Sequence, residues 1–403
     1  MPSGWGVHSH ADITLLGDNP WMIIEIEPLE ARQRLAAGIP LIDVREDHER
    51  GMGMAEGALG VPRAQLESEP ARYITAVNAS VMLICQAGGR SLAAAESLQG
   101  QGYRHIISVR GGTTAWLEQG LPLTAPSADI DHDFNERYSR HLLLPEVGLD
   151  GQKRLESACV LLIGAGGLGS PASFYLAAAG VGHLRIADDD HVERSNLQRQ
   201  ILHTDEAVGT SKVASANERL TALNPRIRID AVDERVTSSN VDRLLDGVDV
   251  VIDGADNFPL RYLLNDACVN HGKPLVYGAV HRFEGQASVF DAGRHRGSAP
   301  CYRCLFPEPP PPEAAPNCAE AGVLGVVPGI IGLLQAAEAI KLLLGLGESL
   351  RGRLLHFDAL AMRFRETRLS PDPDCPVCGV GKTFPGYVDY AAFCAGSRPE
   401  DAH

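Results

Sequence analysis

The chain of 403 residues carries 51 Asp+Glu against 36 Lys+Arg, a formal net charge of -15, with 44% hydrophobic residues, 42 Gly and 26 Pro. That length leaves room for two or three domains, and the acidic balance excludes nucleic acid or an anionic membrane as the main partner, since both need a basic face. Nine cysteines, odd in number and thinly spread, point to metal ligands and reactive thiols rather than a disulfide framework.

The first thirty or so residues lack a basic start followed by an apolar core, and the reading finds no run of about twenty apolar residues. Neither secretion nor a membrane span is expected, and the protein is read as cytoplasmic. Residues 1–21 show no periodicity and read as a loose arm. From Met22 the pattern becomes strand, helix, strand: MIIEI, then PLEARQRLAAG, then PLIDVRE. The apolar run VMLIC follows and ends at Cys85, which opens the loop CQAGGRS ahead of the helix SLAAAESLQGQG. A thiol between a strand end and a helix start meets converging backbone N–H groups and the Arg90 guanidinium, and both favour thiolate.

CQAGGRS, with the strand LIDVRE and the ending GGTTAWLEQGLP, resembles the rhodanese (sulfurtransferase) domain, in which the loop cysteine carries a persulfide. Four residues separate Cys85 from Arg90, the shorter loop form, which suits a sulfane sulfur better than a phosphate. Arg50 and Met54 stand where the family usually has an aromatic residue and a histidine. Gln86 and Ala87 occupy loop positions where a basic residue often sits.

A polar, Pro-containing stretch reads as a linker, and RYSRHLLLPEVGLDGQKRL as a surface helix. ACVLLIGAGGLGSPASFYLAAAGVGHLRIADDD then gives a buried strand, a turn through Gly164, Gly166, Gly167 and Gly169, an alanine-rich helix and a second strand ending at Asp188. Such a turn brings backbone N–H groups and a helix N-terminus to a phosphate, and the acid reaches ribose hydroxyls. Alone, this pattern fits an NAD-dependent oxidoreductase as well as an ATP site. The following residues add Asn196, Gln198, Arg199 and Lys212, a polar and cationic cluster suited to a triphosphate rather than a dinucleotide. The strand VDVVID ends in GADN, placing Asp253, Asp256 and Asn257 at the carboxyl edge of a sheet, where carboxylates suit Mg2+. Cys301 with Cys304, and Cys375 with Cys378, form two C-x-x-C pairs fit for a closed Zn2+ site. Between them a proline-rich loop carries Cys318, and GIIGLLQAAEAIKLLLG reads as a packing helix.

GAGGLG, ADDDHVERSNLQRQ, VGTSKV, DGADN and the two C-x-x-C pairs, in this order, resemble the MoeB/ThiF family of sulfur-carrier adenylating enzymes, relatives of ubiquitin-activating enzymes. The resemblance implies an α/β architecture: a Rossmann-like ATP-binding domain with a mostly parallel sheet and a zinc site, preceded by a small α/β rhodanese domain. It places the rhodanese-like domain at 22–124, the linker at 125–133, the adenylating domain at 134–380 and a tail at 381–403. It implies that Gly164 to Gly169 and Asp188 hold ATP, that Arg199 and Lys212 contact its phosphates, and that Asp256 serves Mg2+. Arg140 would reach the neighbouring subunit's site, hence a homodimer.

The implied reaction adenylates the Gly-Gly carboxylate of a ubiquitin-like sulfur carrier, and a Cys85 persulfide supplied by a cysteine desulfurase or thiosulfate then makes the thiocarboxylate. Cys318 is the candidate second thiol. The carrier is expected to be the small subunit of molybdopterin synthase, with carriers for thiamine, tRNA thiolation, cysteine or a secondary metabolite as alternatives. In related fusions the sulfurtransferase domain follows the adenylating one; here it precedes it.

Overall fold

The computed structural model describes residues 23–124, 131–309 and 322–394. The chain divides into two compact units, Met1–Ser139 and Arg140–His403. The arm over 1–21, most of the linker and Cys318 lie outside the described residues.

The first unit is built on five short parallel strands: β1 (Ile24–Ile26), β2 (Leu41–Asp43), β3 (Leu59–Gly60), β4 (Val81–Ile84) and β5 (Ile106–Val109). Their order is β1-β5-β4-β2-β3. Because side chains alternate along a strand, β4 feeds two cores. Met82 and Ile84 pack with Trp116 and Leu41 on one face, while Val81, Leu83 and Cys85 pack with Leu66 and Leu98 on the other. Cys85 therefore continues the alternation as the first residue past the strand. Each fully buried aliphatic side chain here contributes about 2 kcal/mol relative to exposure.

The second unit holds an eight-stranded sheet of order β13-β12-β11-β10-β9-β6-β7-β8. Its members are β6 (Cys159–Ile163), β7 (His183–Ala187), β8 (Arg228–Val232), β9 (Val250–Asp253), β10 (Leu275–His281), β11 (Glu284–Phe290), β12 (Arg353–Asp358) and β13 (Arg363–Arg368). Strands β8 to β10 across the sheet are parallel, and β10 to β13 continue as antiparallel pairs. All five residues of β6 are buried. Val160 and Leu162 face one core with Leu176 and Ile331; Cys159, Leu161 and Ile163 face the other with Tyr262 and Leu264. The chain runs outward from β6 through β7 to β8, then crosses back to β9 on the opposite side. Strand order thus reverses at β6, which leaves a crevice at its carboxyl end where ligands bind in open α/β sheets.

The helix Val326–Leu344, read from the sequence as a packing helix, is long and apolar enough to cross a membrane by length and composition alone. In the fold it is a core helix, packed on the Gly169–Ala179 helix and on β10 and β11. Its buried polar residues have partners: Gln335 Nε2 donates to the strand carbonyls of Asp253 (2.7 Å) and Val276 (3.0 Å), and Glu338 accepts from the N–H of Leu350, ahead of β12 (2.8 Å). The tail, to which the sequence assigned no role, also packs. The helix Tyr390–Cys394 buries Tyr390, whose hydroxyl donates to Asp266 at 2.9 Å.

Gly332 is where the Val326–Leu344 helix crosses the glycine turn: a Cβ there would stand 2.4 Å from the Leu168 carbonyl and 2.6 Å from Pro171 Cγ. Gly332→Ala must force the helix off the turn, and we expect a loss of about 2–3 kcal/mol in stability, read as a lower thermal midpoint together with weaker ATP binding in a titration.

Candidate functional site

The glycine turn after β6 is shaped by two contacts that exclude any side chain. Gly164 has φ +94° and lies against the Gly254 carbonyl, and a Cβ on Gly169 would fall 1.9 Å from the Gly164 carbonyl. The turn therefore folds tightly into the Gly169–Ala179 helix, and its backbone faces a cleft of about 1700 Å³ at the switch point. Gly164, Gly166, Gly167, Asp188, Arg199, Lys212, Asp256 and Asn257 all line this cleft. Gly169 lies beneath the turn, and Asn196 acts one step back, its Oδ1 accepting from Arg199 at 3.2 Å. Arg140 is exposed on the short helix Ser139–Leu142 and does not line the cleft.

The acid after β7 braces the turn. Asp188 accepts from the Ala165 N–H (2.7 Å) and the Asp190 N–H (2.9 Å). Burial raises its carboxyl pKa, against the pull of Lys212. Lys212 begins the helix Lys212–Leu223, is 5% exposed, and donates to Asp190 at 2.7 Å with Asp188 at 3.9 Å. It stands at a helix N-terminus beside the glycine turn, a position where a cation and free N–H groups together suit phosphate.

Asp253 and Asp256 divide. Asp253 is fully buried, accepts from the Ala255 N–H (2.9 Å) and lies 3.9 Å from Arg261. Burial raises its carboxyl pKa, partly offset by Arg261. It therefore serves the fold. Asp256 faces the cleft, held by Asn257 Nδ2 at 3.0 Å while Asn257 Oδ1 caps the Phe258–His271 helix at Leu260 N–H (3.0 Å).

Sequence reasoning missed two residues here. His203 bridges the turn and the Lys212 helix, through the Ala165 carbonyl (3.0 Å) and Ser215 Oγ (2.9 Å). Burial lowers its pKa, so the neutral ring donates from Nε2 to the carbonyl and accepts at Nδ1. Gln200 is 4% exposed, lines the cleft, and its Oε1 has no partner among the described residues. Both sit in SNLQRQILH, where polar residues spaced among apolar ones were the available signal.

The four cysteines of the two C-x-x-C pairs converge. Their sulfurs lie within 4.8 Å of one another, with Cys301 to Cys375 at 3.7 Å, Cys301 to Cys304 at 3.9 Å and Cys304 to Cys378 at 3.3 Å. A tetrahedral Zn2+ with Zn–S bonds of about 2.3 Å requires sulfurs about 3.8 Å apart. The donor set and spacing fit that ion. Four thiolates at these distances would repel one another, so they need a cation among them.

In the first unit, Cys85 is buried, and its sulfur accepts the Gly88 N–H at 3.2 Å, at the entry to the helix Gly89–Gly100. Thr113 N–H binds the Cys85 carbonyl at 2.8 Å. Arg90 is not turned to the sulfur as a hydrogen-bond donor; it forms a bidentate pair with Glu49 at 2.8 and 2.6 Å. Burial alone would raise the Glu49 pKa, but the Arg90 hydrogen bond brings it down.

The two parts of the chain match two families: a ThiF family model over residues 138–377 and a rhodanese-like domain model over 27–119. The chain is 53% identical over 260 residues to a sulfur carrier protein adenylyltransferase of Thermus thermophilus, covering 64% of this chain and 96% of the relative. It is 53% identical over 267 residues to a SAMP-activating enzyme E1 of Haloferax volcanii, covering 66% and 97%. With a probable adenylyltransferase/sulfurtransferase MoeZ of Mycobacterium tuberculosis it shares 49% over 273 residues, 68% of each chain. The crystal structure of E. coli MccB with AMPCPP and selenomethionyl MccA superposes at TM-score 0.52 with 22% identity, over 62% of this chain and 77% of that one, and shows the same fold. The chain belongs to the ThiF family, with a rhodanese-like domain fused ahead of the ThiF part.

Proposed function

We propose that this chain adenylates the C-terminal Gly-Gly carboxylate of a ubiquitin-like sulfur carrier and then converts it to a thiocarboxylate with sulfur carried on Cys85. The observation that carries the reading is one cleft at the β6 switch point that joins the glycine turn, Asp188, Arg199, Lys212 and Asp256, in a chain that also holds the Cys85 loop. ATP use follows from membership of the family. The small subunit of molybdopterin synthase is the carrier we favour, in a cytoplasmic protein whose thiols stay reduced.

In the first step a carrier carboxylate oxygen attacks the α-phosphorus of ATP, an O–P bond forms, and pyrophosphate leaves. Little covalent work falls to the protein, so the rate comes from positioning and from charge placed where it develops. The turn's N–H groups and the start of the Lys212 helix receive the phosphates, Asp188 the ribose, and Lys212 and Arg199 the charge on departing pyrophosphate. Asp256 would hold Mg2+, which supplies further neutralisation. Arg140, exposed on its helix, would serve the site of a second copy in a homodimer. In the second step the outer sulfur of a Cys85 persulfide attacks the acyl carbon and AMP leaves, giving an acyl disulfide. A second thiol, with Cys318 the candidate, attacks the Cys85 sulfur of that bond, so the carrier departs as thiocarboxylate and a disulfide remains for reduction. Cys301, Cys304, Cys375 and Cys378 would hold Zn2+ as a structural site.

The direct test is ATP–pyrophosphate exchange with each small Gly-Gly carrier of the same organism; exchange with none of them would refute the reading. Lys212→Ala should lower exchange by about 100-fold or more while the fold, checked by thermal unfolding, persists. Cys85→Ala should leave exchange at the wild-type rate and abolish thiocarboxylate, seen by carrier mass. The purified protein should contain one zinc per chain by elemental analysis, and Cys375→Ser should lose the metal and lower the thermal midpoint, since structural zinc sites contribute folding energy directly.

A further inference from the structure

We infer that residues 387–394, in the tail to which the sequence assigned no role, form the wall against which the last residues of the carrier lie during adenylation, and that Tyr390 and Phe393 hold this wall in place. This rests on the proposed adenylation of a Gly-Gly carrier. The ThiF match ends at residue 377, and the wall lies past it.

The cleft that holds the glycine turn, Arg199 and Lys212 is also lined by Tyr387 to Ala391 and by Cys394. Its volume of about 1700 Å³ exceeds the roughly 300–1,000 Å³ of a small-molecule pocket, so a nucleotide leaves part of it open. The carboxylate that attacks the α-phosphorus must arrive inside this cleft, and the residues before it must occupy the part that the nucleotide leaves. The glycine turn, Asp188, Arg199 and Lys212 follow β6 and β7. The tail instead packs on the Phe258–His271 helix after β9 and brings no cation to the cleft. Its exposed Val388 and Ala391 offer small apolar surfaces there, which suit an extended peptide rather than a triphosphate.

The anchors of the wall are buried and paired. Tyr390 is 7% exposed, and its hydroxyl donates to Asp266 at 2.9 Å. Asp266, itself buried, also accepts two Arg303 nitrogens at 2.8 Å each. Arg303 stands between Cys301 and Cys304 of the four-cysteine cluster, and its guanidinium lies 4.8 Å from the ring centroids of both Tyr262 and Phe393. Phe393 meets Tyr262 edge to face at 5.1 Å. The Asp389 carboxylate starts the short helix by accepting from the Ala392 N–H at 3.0 Å. Helical positions three apart share a face, so one buried cation holds Tyr390 through Asp266 and Phe393 through its ring, while Ala391 and Cys394 beside them border the cleft.

Cys394 reads the wall directly, since it is half-buried and lines the cleft. The full-length protein is treated with iodoacetamide, and alkylation of Cys394 is followed by peptide mass in three states: alone, with AMPCPP, and with a small Gly-Gly carrier of the same organism that supports ATP–pyrophosphate exchange. The carrier is expected to slow alkylation by about tenfold or more, and AMPCPP alone by less than about twofold. Tyr390→Phe and Phe393→Ala each remove one anchor and should speed alkylation of the free protein. Because only molecules with the wall in place bind the carrier well, both variants should raise the carrier KM by about tenfold while the ATP KM stays within about twofold. Equal alkylation with and without an active carrier, equal protection by AMPCPP alone, a parallel rise in both KM values, or no rise in either overturns the inference. Thermal unfolding shows whether Phe393→Ala folds; if it does not, Tyr390→Phe, which loses a single oxygen, decides. Exchange with no carrier refutes the proposed adenylation itself, and the role of the wall with it.

Discussion

The reversal of strand order at β6 is the constraint on which the adenylating unit depends. A parallel strand buried on both faces must send its chain out through helices on either side, and where the direction of travel changes, no connection covers the strand's carboxyl end. The glycine turn after β6, the acid after β7 and the Gly-Ala-Asp-Asn loop after β9 meet there because all three follow neighbouring parallel strands. The cleft is a consequence of topology, and its chemistry follows from which residues the chain places at those three strand ends.

Two layers of support then fix that chemistry. His203, Asp188 and Asn257 hold backbone or side chains of the site rather than facing outward alone, and the Val326–Leu344 helix presses Pro328 and Gly332 on the turn. Buried groups of this kind are costly unless paired, and nearly all are paired. Gln200 Oε1 is the exception within the cleft. An acceptor left open beside the glycine turn marks where a ligand's donor can complete the network.

The two units handle charge in opposite ways. The adenylating cleft draws Arg199 and Lys212 to its surface, as a triphosphate demands. The rhodanese-like unit pairs most of its arginines with its own carboxylates; Arg45, on Asp43, also binds Gln86 of the Cys85 loop, and Arg90 at the end of that loop is tied to Glu49. A loop held in this way presents sulfur through geometry, by the Gly88 N–H and the start of a helix, more than through free positive charge.

Much of this was legible in the sequence because it depends on local pattern. The apolar run before Gly164, the spacing of the glycines, the acid after the next strand, the C-x-x-C pairs and the Cys85 loop each reflect a short-range rule of backbone geometry or ligand spacing. The sequence could not show which side chains are already engaged. Asp253 and Asp256 stand three positions apart at one strand end, yet one is buried against Arg261 and the other faces the cleft. Arg90 reads as a partner for the thiolate until Glu49, 41 residues away, is seen to clasp it. The Val326–Leu344 helix reads as a packing helix from its sequence, yet only its place in the fold gives Gln335 and Glu338 their partners. Motifs are written in the order of residues along the chain, whereas pairing and burial are properties of what lies across from them, which tertiary structure alone decided.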